Sequence, residues 1–264
     1  QRHRSVRLHQ RVRRYARDAP TRGPAVSSIT RGPECPVSLP VEPRRRDWVH
    51  PTRAVPETVT VVALGPTKSD FLEATTTHEP PAIVWECDEL WGMNGGVNHF
   101  AGRVAYDMLW VMDHLDGEER KEPEYANHIR RWLQRFGRPL ITSQAGSWSE
   151  HPQVYEYPLE DVWRFAKRHM GHFYPYFHNS IPYILAYAAF IGVKRLKLWG
   201  ADYHHESIKR REDDKPNAEW WVAWCARHGM HLHLPASTTL CSANRGVWFY
   251  GYRDQPLHIL REDD

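Results

Sequence analysis

The stretch Asn179–Tyr203, NSIPYILAYAAFIGVKRLKLWGADY, decides how the rest of the chain is read. Asn179 and Ser180 are helix-capping residues, and Pro182 stands in the first turn, where a missing N–H costs nothing. The helix continues through Ile184–Phe190 and ends at Gly192, a residue that adopts the left-handed stop freely. Val193–Trp199 is the following strand, and Gly200-Ala201-Asp202 lies just beyond its carboxyl end. Helix, strand and polar strand end in that order are the building unit of a parallel α/β sheet.

The same grammar extends upstream and downstream. Thr58–Leu64 (TVTVVAL) is a β-branched strand closed by the turn Gly65-Pro66, after which Ser69 or Asp70 is expected to cap a short helix to about Thr76. Glu89–Met93, Asp107–Met112 and Pro139–Thr142 read as further strands. Pro123–Phe136, with Tyr125, Ile129, Trp132, Leu133 and Phe136 on one face, and Leu159–His169 read as helices. A helix from about Pro216 to Arg227 and a strand Met230–Leu234 complete the pattern. The expectation is a single Rossmann-like domain over residues 56–264, with a mainly parallel sheet and helices on both faces. Ligands of such sheets bind beyond the carboxyl ends of the strands.

Residues 1–55 differ in character. They hold 13 Arg, no Lys and four acids, a net +9, so the remaining residues carry −6 of the chain's overall +3. Rich in Arg and Pro and without apolar period, this arm is expected to be disordered. It reads as a phosphate-binding arm, as a transit-like segment, or as translated sequence without a role of its own. The longest apolar run, Ile184–Val193, is too short to cross a membrane, and no secretory core follows Arg13-Arg14. Four widely spaced cysteines without a CxxC pair fit a reducing cytoplasm and exclude a disulfide scaffold.

Candidate site residues are the polar ones at strand ends. Gly65-Pro66-Thr67 lies between a strand and a helix, where backbone N–H groups meet phosphates, although it is neither a Walker A loop nor GxGxxG. Asn94 ends its strand before Gly95-Gly96 and can bond a base or ribose edge, or simply form an Asn-Gly turn. Asp113 suits a ribose hydroxyl or Mg²⁺, but Asp116 lies three residues on, which is not a DxD spacing. Asn179-Ser180 is an anion site or merely a cap. Asp202-Tyr203-His204-His205-Glu206 is the densest polar cluster, and a His beside an acid can act as general base. His231, His233, Cys225 and His228 have no zinc spacing, so no metal site is expected, and Trp220, Trp221 and Trp224 read as core first.

In order, Leu64-Gly65-Pro66-Thr67, Trp91-Gly92-Met93-Asn94, Trp110-Val111-Met112-Asp113, Asn179-Ser180 and Leu198-Trp199-Gly200-Ala201-Asp202-Tyr203 make a familiar series. The chain resembles phage and prophage Rossmann-like proteins that are similar to bacterial sialyltransferases, over about residues 58–241. Those relatives carry a Gly-Pro-Ser turn, an Asn after the second strand, a Ser at a helix N-terminus and a Gly-x-Asp-Phe/Tyr strand end. The resemblance implies that Gly65, Pro66 and Thr67 hold nucleotide phosphate or ribose. It also implies that Asn94, Asn179, Ser180, Gly200, Asp202 and Tyr203 line the nucleotide pocket. His204 or His205 is the nearest match to the family's base, with Asp113 next, although here the histidines follow the motif directly. The implied activity is metal-independent transfer from a nucleotide sugar, with no cofactor. A hydroxymethylated base in phage DNA is a candidate acceptor, and DNA would be a partner through the basic arm. The same superfamily includes hydroxymethylpterin diphosphokinases, which would use ATP and Mg²⁺. A non-catalytic nucleotide- or DNA-binding protein is the third reading.

Overall fold

The computed structural model describes residues 49–52, 54–76, 86–94, 106–113, 127, 137–148, 151–170, 176–203, 208–235 and 237–241. All belong to one compact unit, residues 37–264. Seven strands are described: β1 (Thr58–Val62), β2 (Glu89–Met93), β3 (Met108–Val111), β4 (Leu140–Thr142), β5 (Val154–Glu156), β6 (Arg195–Trp199) and β7 (His231–His233). Every adjacent pair is parallel, in the order β5-β4-β3-β2-β1-β6-β7. The chain runs outward from β1 to β5, then returns to the other side of β1 for β6 and β7. The order therefore reverses beside β1, which opens a crevice at the carboxyl ends of β1 and β6. This is a Rossmann-like α/β sheet.

The described helices are α1 (Lys68–Thr76), α2 (Leu159–Met170), α3 (Ser180–Ile191) and α4 (Ile208–Arg227). Strand alternation sends Val59, Val61, Trp91, Trp110, Leu196 and Leu198 into one core with α2, α3 and α4. Tyr187 is the hub of that core, with ring centroids 5.1 Å from Trp110 and 6.0 Å from Trp91. Trp221 and Trp224 lie in the same core, as packing rather than platform. The other face is covered by α1, whose fully buried Phe71 lies 5.9 Å from the ring of Trp199. Burying both faces explains why the strands read as apolar runs.

Four expectations need correction or completion. The edge strand β5 was not expected: two half-buried residues and an exposed Glu156 carry no strand signal of their own. The helix expected to start at Pro216 starts at Ile208 and runs through that proline. Helix α1 begins at Lys68, so Ser69 and Asp70 lie inside its first turn rather than at its cap. Within the segment expected to be disordered, His50 is buried at 2% exposure, so folded structure begins before Pro56. Residues 1–48 lie outside the described residues, as does the expected helix 123–136 apart from Asn127, which is helical.

Candidate functional site

The turn after β1 and the end of β6 are locked together. Gly65 N–H donates to the Gly200 carbonyl at 2.6 Å, extending the β1–β6 ladder past the strands. Gly200 N–H donates to the Thr67 hydroxyl oxygen at 2.8 Å, and that hydroxyl donates to Asp202 Oδ2 at 2.9 Å. Thr67 N–H reaches the same carboxylate oxygen at 2.7 Å. Both of Thr67's donors are thus spent inside the protein. The approach admits no side chain: a Cβ on Gly65 would stand 2.6 Å from Asp202 Oδ2, and one on Gly200 (φ 73°) 2.5 Å from the Ala63 carbonyl oxygen.

On the other side of β1, Asn94 follows β2 with φ 47°, a left-handed conformation that Asn tolerates. Its N–H continues the ladder to the Trp110 carbonyl at 2.8 Å, and its side-chain Nδ2 donates to Asp113 Oδ2 at 2.9 Å. Asn94 Oδ1 is buried and has no hydrogen-bond partner, and the same holds for Asp202 Oδ1.

The third wall is the start of α3. Asn179 is its cap, with Oδ1 accepting from Ile181 N–H at 3.2 Å and from the Tyr203 hydroxyl at 2.6 Å. Asn179 Nδ2 donates to the Asp214 carbonyl at 3.0 Å, which ties the upstream part of α4 to the site. Ser180 is therefore the first helical residue and not the cap. Ile181 N–H is taken by the cap and Pro182 has none, so the donors α3 turns to the cleft are those of Ser180. Tyr203 (φ 48°) is held in a backbone conformation unusual for its type. Burial pushes its phenol well above the ordinary range, the Asp214 charge adds to this, and the Asn179 bond opposes it.

These walls enclose a cleft of about 600 Å³ at the carboxyl end of the sheet. Gly65, Pro66, Asn94, Asp113, Asn179, Ser180, Gly200, Asp202 and Tyr203 all line it, while Thr67 stands behind Asp202. His204 and His205 lie outside the described residues, as do Gly95, Gly96, Asp116 and Glu206. The sequence reading missed His178 and Asp214, which also line the cleft. His178 is exposed, and its N–H is held by Asn217 Oδ1 at 3.2 Å. Its place immediately before the α3 cap was the available signal. Among the described residues no three His, Cys, Asp or Glu side chains converge as metal ligands. Cys225 Sγ donates to the Leu185 carbonyl, and burial raises its thiol well above the ordinary range. His228 Nδ1 is paired with the Trp224 carbonyl at 2.7 Å.

An open parallel α/β domain with a polar cleft at its switch point is the class that fold and site define. No family model matches the chain, and no curated protein matches it. Among solved structures it is similar to the sialyltransferase CstII from Campylobacter jejuni in complex with the substrate analogue CMP-3FNeuAc. Identity is 13%, coverage is 70% of this chain and 82% of that one, and the TM-score is 0.42. The same enzyme in complex with cytidine-5'-monophosphate gives 12% identity, the same coverage and a TM-score of 0.40. No helix among the described residues is long and apolar enough to cross a membrane.

Proposed function

We propose that the chain is a nucleotide-sugar-dependent glycosyltransferase working at this cleft. The observation that carries the reading is convergence. Residues from Gly65 to Tyr203, named from five separated sequence motifs, line one cavity at the switch point of a parallel sheet. The substrate analogue CMP-3FNeuAc of the sialyltransferase structure is the model for the donor.

In the proposed reaction an acceptor hydroxyl oxygen forms a bond to the anomeric carbon, and the bond from that carbon to the nucleotide phosphate breaks. The acceptor proton passes to a base, and the negative charge stays on the leaving phosphate. In this reading Ser180, at the positive end of α3, receives that charge through its hydroxyl and N–H. His204 or His205 is the proposed base, and no cofactor is required. The basic arm and the sequence resemblance support a hydroxymethylated base in DNA as acceptor.

The test is incubation with a panel of nucleotide sugars and hydroxymethylated DNA, read by mass spectrometry of the products. The expected result is nucleotide release in EDTA and a hexose- or sialic-acid-sized mass gain on the base. ATP turnover that requires Mg²⁺ would assign a diphosphokinase instead. Nucleotide binding without any turnover would assign the non-catalytic reading.

A further inference from the structure

Tyr176, Phe177 and His178 are consecutive ring-bearing residues just before α3. Phe177 turns inward, with ring centroids 5.0 Å from Trp221 and 4.7 Å from Tyr183. Its two neighbours stay exposed. Tyr176 is 37% exposed, and its ring lies 5.6 Å from His178 and 6.3 Å from the half-buried Trp220 of α4, both edge to face. His178 in turn lines the cleft. The rings therefore form a continuous shelf that runs from the cleft wall to α4.

The shelf is fixed before any ligand arrives. Trp221 Nε1 donates to the Tyr176 carbonyl at 2.8 Å, and His178 N–H donates to Asn217 Oδ1 at 3.2 Å. Both partners belong to α4, so one helix clamps the strip on either side of Phe177. Among the described residues three large apolar side chains are exposed, and the two besides Tyr176 (Val49 and Leu159) are aliphatic and do not line the cleft. An aromatic group held in place at low entropy cost is a stacking surface for a flat ring.

A nucleobase is such a ring. An enzyme that acts on a base in DNA draws it out of the stack and holds it against aromatic side chains, and every base has a π-face to offer. Charge favours a nucleic acid over a neutral glycan, because residues 1–55 carry a net +9 that attracts phosphates. We infer that Tyr176, with His178 and Trp220, is the acceptor subsite, a shelf on which an unpaired base stacks beside the nucleotide-sugar cleft. This rests on the reading of the chain as a glycosyltransferase acting on a DNA base, and it names the residues that hold that base.

The test compares binding of the full chain to an oligodeoxycytidine strand and to an abasic strand of equal length. Both carry the same phosphates, so the basic arm contributes equally and the affinity ratio reads stacking. The expected wild-type ratio is about tenfold. Tyr176→Leu keeps an apolar side chain without a ring, and should bring the ratio to within about twofold of unity. Tyr176→Phe keeps the ring and should keep the ratio. Because Tyr176 is exposed, both variants should melt with the wild type. Failure to bind the cytidine strand, a wild-type ratio near unity, or an undiminished ratio in Tyr176→Leu overturns the inference. So does ring-dependent binding of a neutral oligosaccharide in place of the cytidine strand, which would make the shelf a sugar platform. A ratio that depends on the Tyr176 ring without any sugar transfer by the wild type leaves the shelf standing and removes the glycosyltransferase. Sugar transfer that Tyr176→Leu leaves at the wild-type acceptor KM does the reverse.

Discussion

Strand β2 begins in one buried polar cluster and ends beside another, and the two are built on opposite plans. At its start, Glu89 accepts from Trp91 Nε1 at 2.6 Å and from the Thr52 hydroxyl, and both of its oxygens lie 3.1 Å from His50 Nε2. His50 Nδ1 is paired with the Tyr187 hydroxyl at 2.7 Å. Every polar atom of the Glu89 and His50 side chains has a partner inside the chain. Just past the other end of β2, Asn94 keeps one buried oxygen unpaired, as does Asp202 beyond the end of β6, and both residues line the cleft. Burial of polar groups alone therefore does not mark a site. The Glu89 cluster is saturated, whereas unpaired buried atoms occur both at the cleft, on Asn94 and Asp202, and in the core, on Thr60 and Trp110.

The comparison can be broken most directly at its saturated end. Glu89→Ala strands the donors of His50, Thr52 and Trp91 in the core, and should cost about 4 kcal/mol in urea unfolding. Acid should show the same group. Burial raises the Glu89 carboxyl, but hydrogen bonds from His50, Thr52 and Trp91 outweigh this and hold it below its ordinary value. The folded state thus binds that proton less readily than the unfolded state. The resulting stability is present above the ordinary carboxyl range of about pH 4 to 5 and is lost as pH falls through the depressed value. Glu89→Gln should flatten that acid limb, and an unchanged limb would assign acid sensitivity elsewhere.

The scaffold of the unsaturated end comes next in size. Gly200→Ala combines a left-handed backbone with a contact 2.5 Å from the Ala63 carbonyl oxygen, and should cost about 3 kcal/mol and abolish nucleotide-sugar binding. Retained binding with wild-type melting would show that the β1–β6 lock does not shape the cleft.

Tyr203→Phe removes one bond to the α3 cap and should cost about 1 kcal/mol. With the phenol raised in the folded state, its contribution is present below about pH 10 and is lost as pH rises beyond. The variant's alkaline melting curve should therefore converge on the wild type's.

The smallest effect is expected at Ser180. Because Asn179 is the cap, Ser180→Ala should change stability by under about 0.5 kcal/mol while weakening a nucleotide sugar roughly threefold. A loss of 1 kcal/mol or more in thermal unfolding would place Ser180 among the saturated, structural groups.

Local chemistry made much of this legible in the sequence. The β-branched run located β1, which ends at Val62 rather than the expected Leu64, Asn179, Pro182 and Gly192 bracket α3, and the alternation of strands with helices implied a parallel sheet with its cleft at the carboxyl ends. Those signals act over a few residues, so a sequence displays them. The pairings between distant residues are decided by tertiary structure alone. Nothing in an Arg- and Pro-rich neighbourhood marks His50 as the partner of Glu89 and Tyr187. The spacing of Thr67 and Asp202 likewise hides the bond that takes one carboxylate oxygen and leaves the other buried without a partner. Residue type states which hydrogen bonds a side chain can make, and packing decides which of them remain unmade. Unmade bonds occur in the core as well, at Thr60 Oγ1 and Trp110 Nε1, so what sets Asn94 and Asp202 apart is their position at the carboxyl ends of the strands, which only the folded sheet decides.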